Sequence, residues 1–279
     1  MPKNILVTKE NGEMEPFEAG KLYSSLQRSG ASDKQADQIV REIKREISHG
    51  FNTRNIYKRA FQILKKTSRG AAARYSMKRA ILELGPSGFP FEDFVGEIFK
   101  AKGFVVQSGL QMHGACVEHE VDLVAFNDNK YIVGEIKFHN QLGMKSDLKV
   151  ALYVQARVED LQRARTQKGE RKIDEGYLIT NTKFSKAAIQ YANCKGLKVL
   201  SWTYPRYGNL QDLIEETKVH PITCLTTLNR SEKIKLMENG VILCKTIPEN
   251  KIALENIGIS GNKLGSILRE GEELCGLRI

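Results

Sequence analysis

The hydrophobic pattern of this chain changes period along its length. Near the start, Ile5, Val7 and Lys9 alternate with Leu6 and Thr8, and Asn11-Gly12 marks a tight hairpin, so residues 3–19 predict a strand and turn. From Phe17 onward the spacing becomes helical. Ile39, Ile43 and Ile47 recur every four residues, as do Ile56, Ala60 and Leu64, giving each helix one apolar stripe to bury. Gly30, Gly50 with Asn52, and Gly70 punctuate these helices, and Gly85-Pro86-Ser87-Gly88 reads as a linker. In the middle of the chain the period falls to two. The stretch from Val117 to His139 predicts two strands joined by a turn at Asn127, Asp128 and Asn129.

Around these strands the pattern predicts a helix from Phe91, a strand at Phe104-Val105-Val106, and a loop from Gln107 to Gly114. Leu142 to Asp147 leads into a helix from Val150 to Leu161. Residues 176–181 predict an apolar strand, Ser185 to Cys194 a helix, and Leu197 to Trp202 a closing strand. Strand, helix, strand in this order implies a parallel crossover, hence an α/β domain with helices flanking a mixed sheet. Beyond Tyr204-Pro205-Arg206-Tyr207-Gly208 helical spacing returns, with Leu210, Leu213 and Ile214, then Ile234 and Met237, then Leu264, Ile267 and Leu268. The expected organisation is three parts: residues 1–86, 89–204 and 209–279.

Composition narrows the class. No apolar run is long enough to span a membrane, and the polar N-terminus is unlike a secretory signal. The five cysteines are scattered without a CxxC pair, which predicts reduced structural thiols and a cytoplasmic protein. The net charge of +10 is unevenly placed: residues 1–88 hold 17 Lys and Arg against 9 Asp and Glu. Between Arg54 and Arg79 lie nine basic residues and no acidic one. Such a field attracts phosphates, of a nucleotide or of a nucleic-acid backbone, unless it is only a solvated helix face.

Candidate chemistry lies on the two central strands. Tyr131, Val133, Glu135 and Lys137 share one face, while Ile132, Ile136 and Phe138 share the other. Glu135 and Lys137 end a strand otherwise apolar on both faces, where uncompensated charge is costly. Asp122 interrupts the apolar run Val121 to Ala125 on the partner strand. Two carboxylates so placed suit a hard divalent cation, Mg2+ or Mn2+, with Asp122 and Glu135 as the metal ligands. Lys137 would orient the attacking water and stabilise charge developing on a phosphate. The competing reading is a buried salt-bridge network. His119 is expected on the face opposite Asp122, in a structural role, and His139 at the rim of the site. Lys145, Lys149, Arg157, Arg163 and Arg165 are candidate phosphate clamps.

Asp122 followed by Glu135-Ile136-Lys137 resembles the motif of the PD-(D/E)XK nucleases, most closely Mrr-type restriction enzymes and archaeal Holliday-junction resolvases. The helix from Phe91, with Glu92 ahead of Gly103-Phe104, resembles that branch's opening helix. Gln155 matches a glutamine that often follows the metal motif. The sequence departs from the pattern at Val121, which replaces the proline, and at Glu159, which stands where some relatives have tyrosine. The resemblance implies a restriction-endonuclease-like fold, with Glu92, Asp122, Glu135, Lys137 and Gln155 as the site residues. It also draws notice to the corner from Thr180 to Ser185, where either phosphate approach or ordinary capping is expected.

Residues 3–84 resemble an ATP-cone, the nucleotide-binding module of ribonucleotide reductases and their regulator. The match rests on Val7-x-Lys9, Gly12, Phe17, Lys21-Leu22 and the segment from Ala72 to Arg79. It implies ATP or dATP as effector, with Lys9 and Lys21 on the triphosphate and the backbone around Val7 near the base. No P-loop is present, so sensing is expected rather than hydrolysis. Asn239-Gly240-Val241 and Ile257-Gly258-Ile259 faintly resemble helix-hairpin-helix turns, which grip DNA phosphates, and a plain helix-bundle cap is the equal alternative. Together these readings predict a metal-dependent endonuclease acting on double-stranded DNA and regulated by ATP or dATP. A homodimer is expected, because one site per chain must cut two strands. The alternative is a nucleotide-responsive DNA-binding regulator whose nuclease fold does not cleave.

Overall fold

The computed structural model describes residues 5–9, 12–85, 88–141 and 143–275. Asn11 of the expected hairpin, Pro86 and Ser87 of the expected linker, and Leu142 lie outside the described residues. The chain forms two compact units, one of residues 1–80 with 221–279 and one of residues 81–220.

The first unit opens with β1 (Leu6–Thr8), which pairs antiparallel with β2 (Met14–Pro16) and parallel with β3 (Phe51–Asn52). The helices are α1 (Ala19–Arg28), α2 (Asp33–Glu46), α3 (Thr53–Thr67) and α4 (Arg69–Leu82). Ser32 and Gln35 form a capping box on α2, and the Asn52 side chain accepts from the Arg54 amide to start α3. The expected stripes are buried: Ile39, Ile43 and Ile47, and Ile56, Ala60 and Leu64, pack in one core with Val7 and Leu26.

The second unit contains α5 (Phe89–Ala101), β4 (Val105–His113), β5 (Glu118–Phe126), β6 (Tyr131–Lys137), β7 (Lys145–Ser146) and α6 (Leu148–Gln167). It continues with β8 (Glu175–Thr180), β9 (Lys183–Phe184), α7 (Lys186–Lys195), β10 (Lys198–Leu200) and α8 (Leu210–Thr217). The main sheet has the order β10-β8-β6-β5-β4. Its β6–β8 and β8–β10 pairs are parallel, and β4–β5 and β5–β6 are antiparallel. This is the expected mixed sheet of a restriction-endonuclease-like α/β fold. Successive residues of β8 show the two covered faces. Tyr177 meets the Phe99 ring of α5 edge-on at 5.7 Å, whereas Leu178 joins the cluster of α6 and α7.

The sequence reading erred at residues 107–114. The loop expected there is the strand β4, paired with β5 from Val105↔Phe126 to His113↔Glu118. Gln107, Ser108, Gly109 and Gln111 read as loop residues because β4 is an edge strand, mostly exposed, where polar side chains are tolerated. Past β4 the chain is tied to α6 by Asp160. Its carboxylate accepts from the Cys116 amide at 3.0 Å and lies 2.9 Å from His119 Nε2, and these bonds hold its pKa down near about 2.

The remainder of the first unit holds α9 (Arg230–Glu238), a 3-10 helix at Cys244–Asn250, α10 (Lys251–Asn256) and α11 (Gly261–Cys275). Gly258, with φ of 86°, turns the chain between α10 and α11, and Gly240, with φ of 76°, follows α9. Glu270, 1% exposed, accepts hydrogen bonds from the Thr226 and Thr227 amides at 2.7 and 2.9 Å. All five cysteines are free thiols, three of them buried.

The Asp160 tie predicts an intolerance at Gly114. A Cβ there would lie 2.7 Å from the Val117 carbonyl oxygen and 2.0 Å from Asp160 Oδ2. Gly114→Ala is therefore expected to destabilise the protein by about 1–3 kcal/mol in denaturant unfolding, as overpacking does elsewhere. Gly103→Ala offers the contrast, being strained only by φ of 85°, with no atom in the way.

Candidate active site

The site forms where the β4–β5–β6 ladder is interrupted. Antiparallel pairing runs Leu123↔Gly134 between β5 and β6, so one further step sets Asp122 opposite Glu135. On the other side, β4 and β5 pair at Ser108↔Leu123 and resume at Leu110↔Val121, leaving out the Gly109–Asp122 rung. Gly109 sits there with φ of 60°, a conformation favouring glycine. Side-chain alternation breaks at the same place, because Val121 and Val124 both pack in the cluster with Leu161 of α6. Asp122 is thereby freed from the regular ladder, and its Oδ2 accepts from the Ile136 amide at 2.7 Å. His119, beyond the break, meets Asp160 and takes no part in the site.

Glu135 is 3% exposed. It is compensated on both oxygens: Oε1 pairs with Lys137 Nζ and Oε2 with Arg157 Nη1 of α6. Arg157 lies over the Tyr153 ring at 4.5 Å and keeps its Nε buried with no hydrogen-bond partner. Lys137 stands at the mouth, 39% exposed on its side chain. Sequence reasoning had Arg157 only among several phosphate clamps. The signal that marks it is an arginine on the sheet-facing side of an otherwise apolar helix surface, which calls for a carboxylate partner.

Glu92 enters from the first turn of α5. Its carboxylate reaches back to Gly88, where a Cβ would fall 2.9 Å from Oε1. Burial pushes its pKa up to about 7, and repulsion from Asp122, Asp93 and Glu135 adds to the rise. Asp122 is also raised, chiefly by burial, against the lowering effect of the Ile136 amide. Glu92, Asp122, Glu135 and Lys137 are thus within one electrostatic neighbourhood.

The backbone just past Lys137 is held by β8. Thr180 Oγ1 donates to the Lys137 carbonyl at 2.7 Å, and the Asn181 amide bonds both the amide and carbonyl of His139, at 2.8 and 2.7 Å. These two fully buried polar residues fix the end of β6, and Ser185 caps α7 by accepting from the Ala188 amide at 3.1 Å. His139 Nε2 is 3.1 Å from Ser146 Oγ, and burial, with Lys137 nearby, lowers its pKa.

Gln155 is not brought to this cluster. Its Nε2 donates to Glu159 Oε1 at 2.9 Å, one helical turn away, beside a cleft of about 390 Å³ that includes Gly176 and Lys195. In the other unit, Val7 is buried and pairs in the ladder with Glu15 and Phe51. Lys9 pairs with Glu15 and Lys21 with Glu18, each at 2.7 Å; the first pair is half-buried and the second solvent-exposed.

Among the described residues no three His, Cys, Asp or Glu side chains form a metal site by themselves. The donor set still fits Mg2+ or Mn2+, which often take one or two carboxylates and complete their shell with water and phosphate oxygens. Among the described residues Asp122 Oδ1 has no hydrogen bond, and repulsion among Glu92, Asp122 and Glu135 adds to the burial that raises the pKa of Glu92 and Asp122, a repulsion that a divalent cation would relieve. Also among the described residues, no helix is long and apolar enough to cross a membrane.

A five-stranded mixed sheet with helices on both faces and Asp122, Glu135 and Lys137 at a ladder break defines a restriction-endonuclease-like protein. Comparison with known families agrees. The model for the ATP cone domain matches residues 5–82, that for Restriction endonuclease matches 85–203, and that for AF1548-like, C-terminal matches 220–275. An uncharacterized protein of Archaeoglobus fulgidus is 30% identical over 183 residues, 65% of this chain and all of the relative. The crystal structure of AF1548, a protein of unknown function, has a TM-score of 0.54 at 29% identity, covering 68% of this chain and 99% of its own. The MspJI restriction endonuclease in complex with a 27-mer oligonucleotide, at 15% identity and a TM-score of 0.29, covers 58% of this chain and 39% of its own, too remote to argue from. The chain belongs to the same family as that Archaeoglobus fulgidus protein, and it carries an ATP cone domain, a restriction-endonuclease domain and an AF1548-like C-terminal domain in that order.

The elevated pKa of Glu92 has a consequence for stability. Its folded-state value, about 7, lies above the ordinary 4.5, so the folded protein favours the protonated form. That contribution is complete below about pH 4.5 and is lost as pH rises through about 7. Glu92→Gln mimics the protonated state. In metal-free buffer the variant and the parent should melt together near pH 4.5, and at pH 8 the variant should melt about 2–6 °C higher, allowing for solvent screening of a partly exposed group. Arg157→Met should cost about 1–3 kcal/mol by leaving one Glu135 oxygen buried without its partner. Adding Glu135→Gln to it should recover part of that loss in the same unfolding assay.

Proposed function

We propose that the protein is a metal-dependent endonuclease that hydrolyses phosphodiester bonds of double-stranded DNA and is regulated by ATP or dATP. The observation that supports the reading best is the convergence of Asp122, Glu135 and Lys137 at a break in the ladder, on a restriction-endonuclease fold. Asp122 and Glu135 would hold a divalent cation, which would supply positive charge against the phosphate and lower the pKa of water. Lys137, at the exposed edge, orients the attacking water and neutralises charge on the phosphate oxygens. Glu92, poised to titrate near neutrality, holds or takes up a proton beside them. Gln155 steadies α6 through Glu159, and any contact with substrate would require it to leave that bond.

The nucleotide reading rests on the ATP cone. Lys21 is held by an exposed carboxylate, and exposed pairs contribute little, so a triphosphate can displace Glu18 readily, while Lys9 would have to exchange its half-buried partner Glu15 for phosphate. Nucleotide binding would then alter DNA binding or cleavage.

In a nicking assay on supercoiled plasmid with Mg2+, the parent protein should cut, and Asp122→Ala and Lys137→Ala should each lose at least about a hundredfold in rate at equal DNA binding, the scale of removing one transition-state stabiliser. If none cuts while all bind DNA and respond to ATP, the protein is instead a nucleotide-responsive DNA-binding regulator. In parallel, Lys21→Ala should weaken ATP binding by about tenfold in calorimetry, the loss of one charge-assisted contact.

A further inference from the structure

The two compact units divide the charge unequally. Residues 1–80 with 221–279 contain 25 Lys and Arg against 15 Asp and Glu, whereas residues 81–220 contain 18 of each. The whole net charge of +10 therefore resides in the unit that lacks the Asp122–Glu135 site. The nuclease unit is balanced, and the cations nearest its carboxylate cluster, Lys137 and Arg157, are already taken up in ion pairs with Glu135.

Within the basic unit the charge is concentrated on one helix face. Arg54, Lys58, Gln62 and Lys65 follow one another at three- and four-residue intervals along α3, a single stripe about 16 Å long. Lys66 flanks it, and Arg69 continues it into the start of α4; all six are exposed. Two open depressions, of about 580 and 550 Å³, share Lys65, Lys66 and Arg69. Within the stripe Lys65 donates to the Thr226 carbonyl oxygen at 2.9 Å, and neighbouring cations are also engaged: Arg59 bonds Glu46 at 2.8 Å, and Arg79 stacks over the Tyr57 ring at 4.1 Å. Among the described residues no carboxylate pairs with Lys58, Lys66 or Arg69.

We infer that the α3 face from Arg54 to Arg69 is a docking surface for the phosphate backbone of double-stranded DNA, supplying the sequence-independent share of the protein's DNA affinity. The inference rests on the reading of the chain as a DNA nuclease and assigns the binding to a different unit from the chemistry. The stripe suits a polyanion rather than a single triphosphate. It is long, open and built of ammonium, guanidinium and amide donors, the groups that contact phosphates without reading bases. Lys9 and Lys21, expected on the nucleotide, lie elsewhere, at the end of β1 and in α1.

The test is binding of a fluorescent 30-base-pair duplex, followed by anisotropy over a range of NaCl in EDTA so that no cleavage intervenes. The native protein is compared with Lys58→Gln/Lys66→Gln/Arg69→Gln. The variant should bind at least about tenfold more weakly near 0.1 M salt, and its slope of log affinity against log salt should be shallower by about 2–3, with unchanged ATP affinity and melting temperature. Equal affinity and slope in the two proteins overturns the surface and leaves the nuclease reading standing. Absence of duplex binding by the native protein at low salt overturns both. Loss of ATP affinity with an unchanged DNA slope reassigns the face to nucleotide and overturns the inference. If the triple variant does not fold, acetylation of the native protein decides: duplex must slow labelling of Lys58 and Lys66 several-fold, and equal labelling with and without DNA rejects the surface.

Discussion

Burying the Glu135 carboxylate is the constraint on which the second unit depends. An ionised group that is 3% exposed must be met by cations or lose its charge, and two cations meet it. One, Lys137, comes from the same strand face two residues on. The other, Arg157, comes from α6, so the pair holds only while α6 is fixed over the sheet. Val154, Val158 and Leu161 supply the apolar contact for that, and the Asp160 bonds to the Cys116 amide and His119 add a polar lock at the far end. Removing this helix would not merely expose a core; it would leave a charge without its partner. The arrangement contributes little net stability by itself, since apolar packing does as well, and it is better understood as the cost of keeping a charged group at that point.

The break in the ladder is the second requirement. A regular antiparallel sheet spends every backbone group on its neighbours and alternates its side chains strictly, which would separate Asp122 from its surroundings as surely as any other strand residue. The missing rung at Gly109 relaxes both conditions at once. Val121 and Val124 then share a cluster despite their odd spacing, and Asp122 turns its carboxylate onto the Ile136 amide. Irregular sheet geometry beside a reactive cluster is a common device for aiming a side chain.

Much of this was legible in the sequence because it is periodic or carried by a motif. The helices of the first eighty residues, the strands carrying Asp122, Glu135 and Lys137, and the mixed sheet all follow from spacing and resemblance. What was not legible depends on partners distant in sequence. β4 looks like a loop residue by residue and becomes a strand only by pairing with β5. β3, two residues long, exists because β1 lies alongside it. Arg157 is one of five basic residues near α6 until the fold places it on Glu135, while Gln155, singled out by family pattern, turns to Glu159 instead. The same limit applies to the last sixty residues. Nothing local indicates that Glu273 of α11 accepts from the Gly70 amide at 3.2 Å, two hundred residues away in sequence, within one compact unit.

Charge distribution links these points. Cations packed near a carboxylate cluster pair with it, as Lys137 and Arg157 do with Glu135, and each such pair lowers the site's appetite for a divalent ion. A nuclease unit rich in free lysines and arginines would therefore draw in DNA at the expense of the negative potential that adds to the burial-raised pKa of Glu92. Carrying the excess cations on a separately packed unit removes that conflict. Salt screens exposed cations at a distance, yet they still act on a polyanion that touches them directly. On this argument, the balanced composition of residues 81–220 suits the chemistry proposed for Asp122 and Glu135.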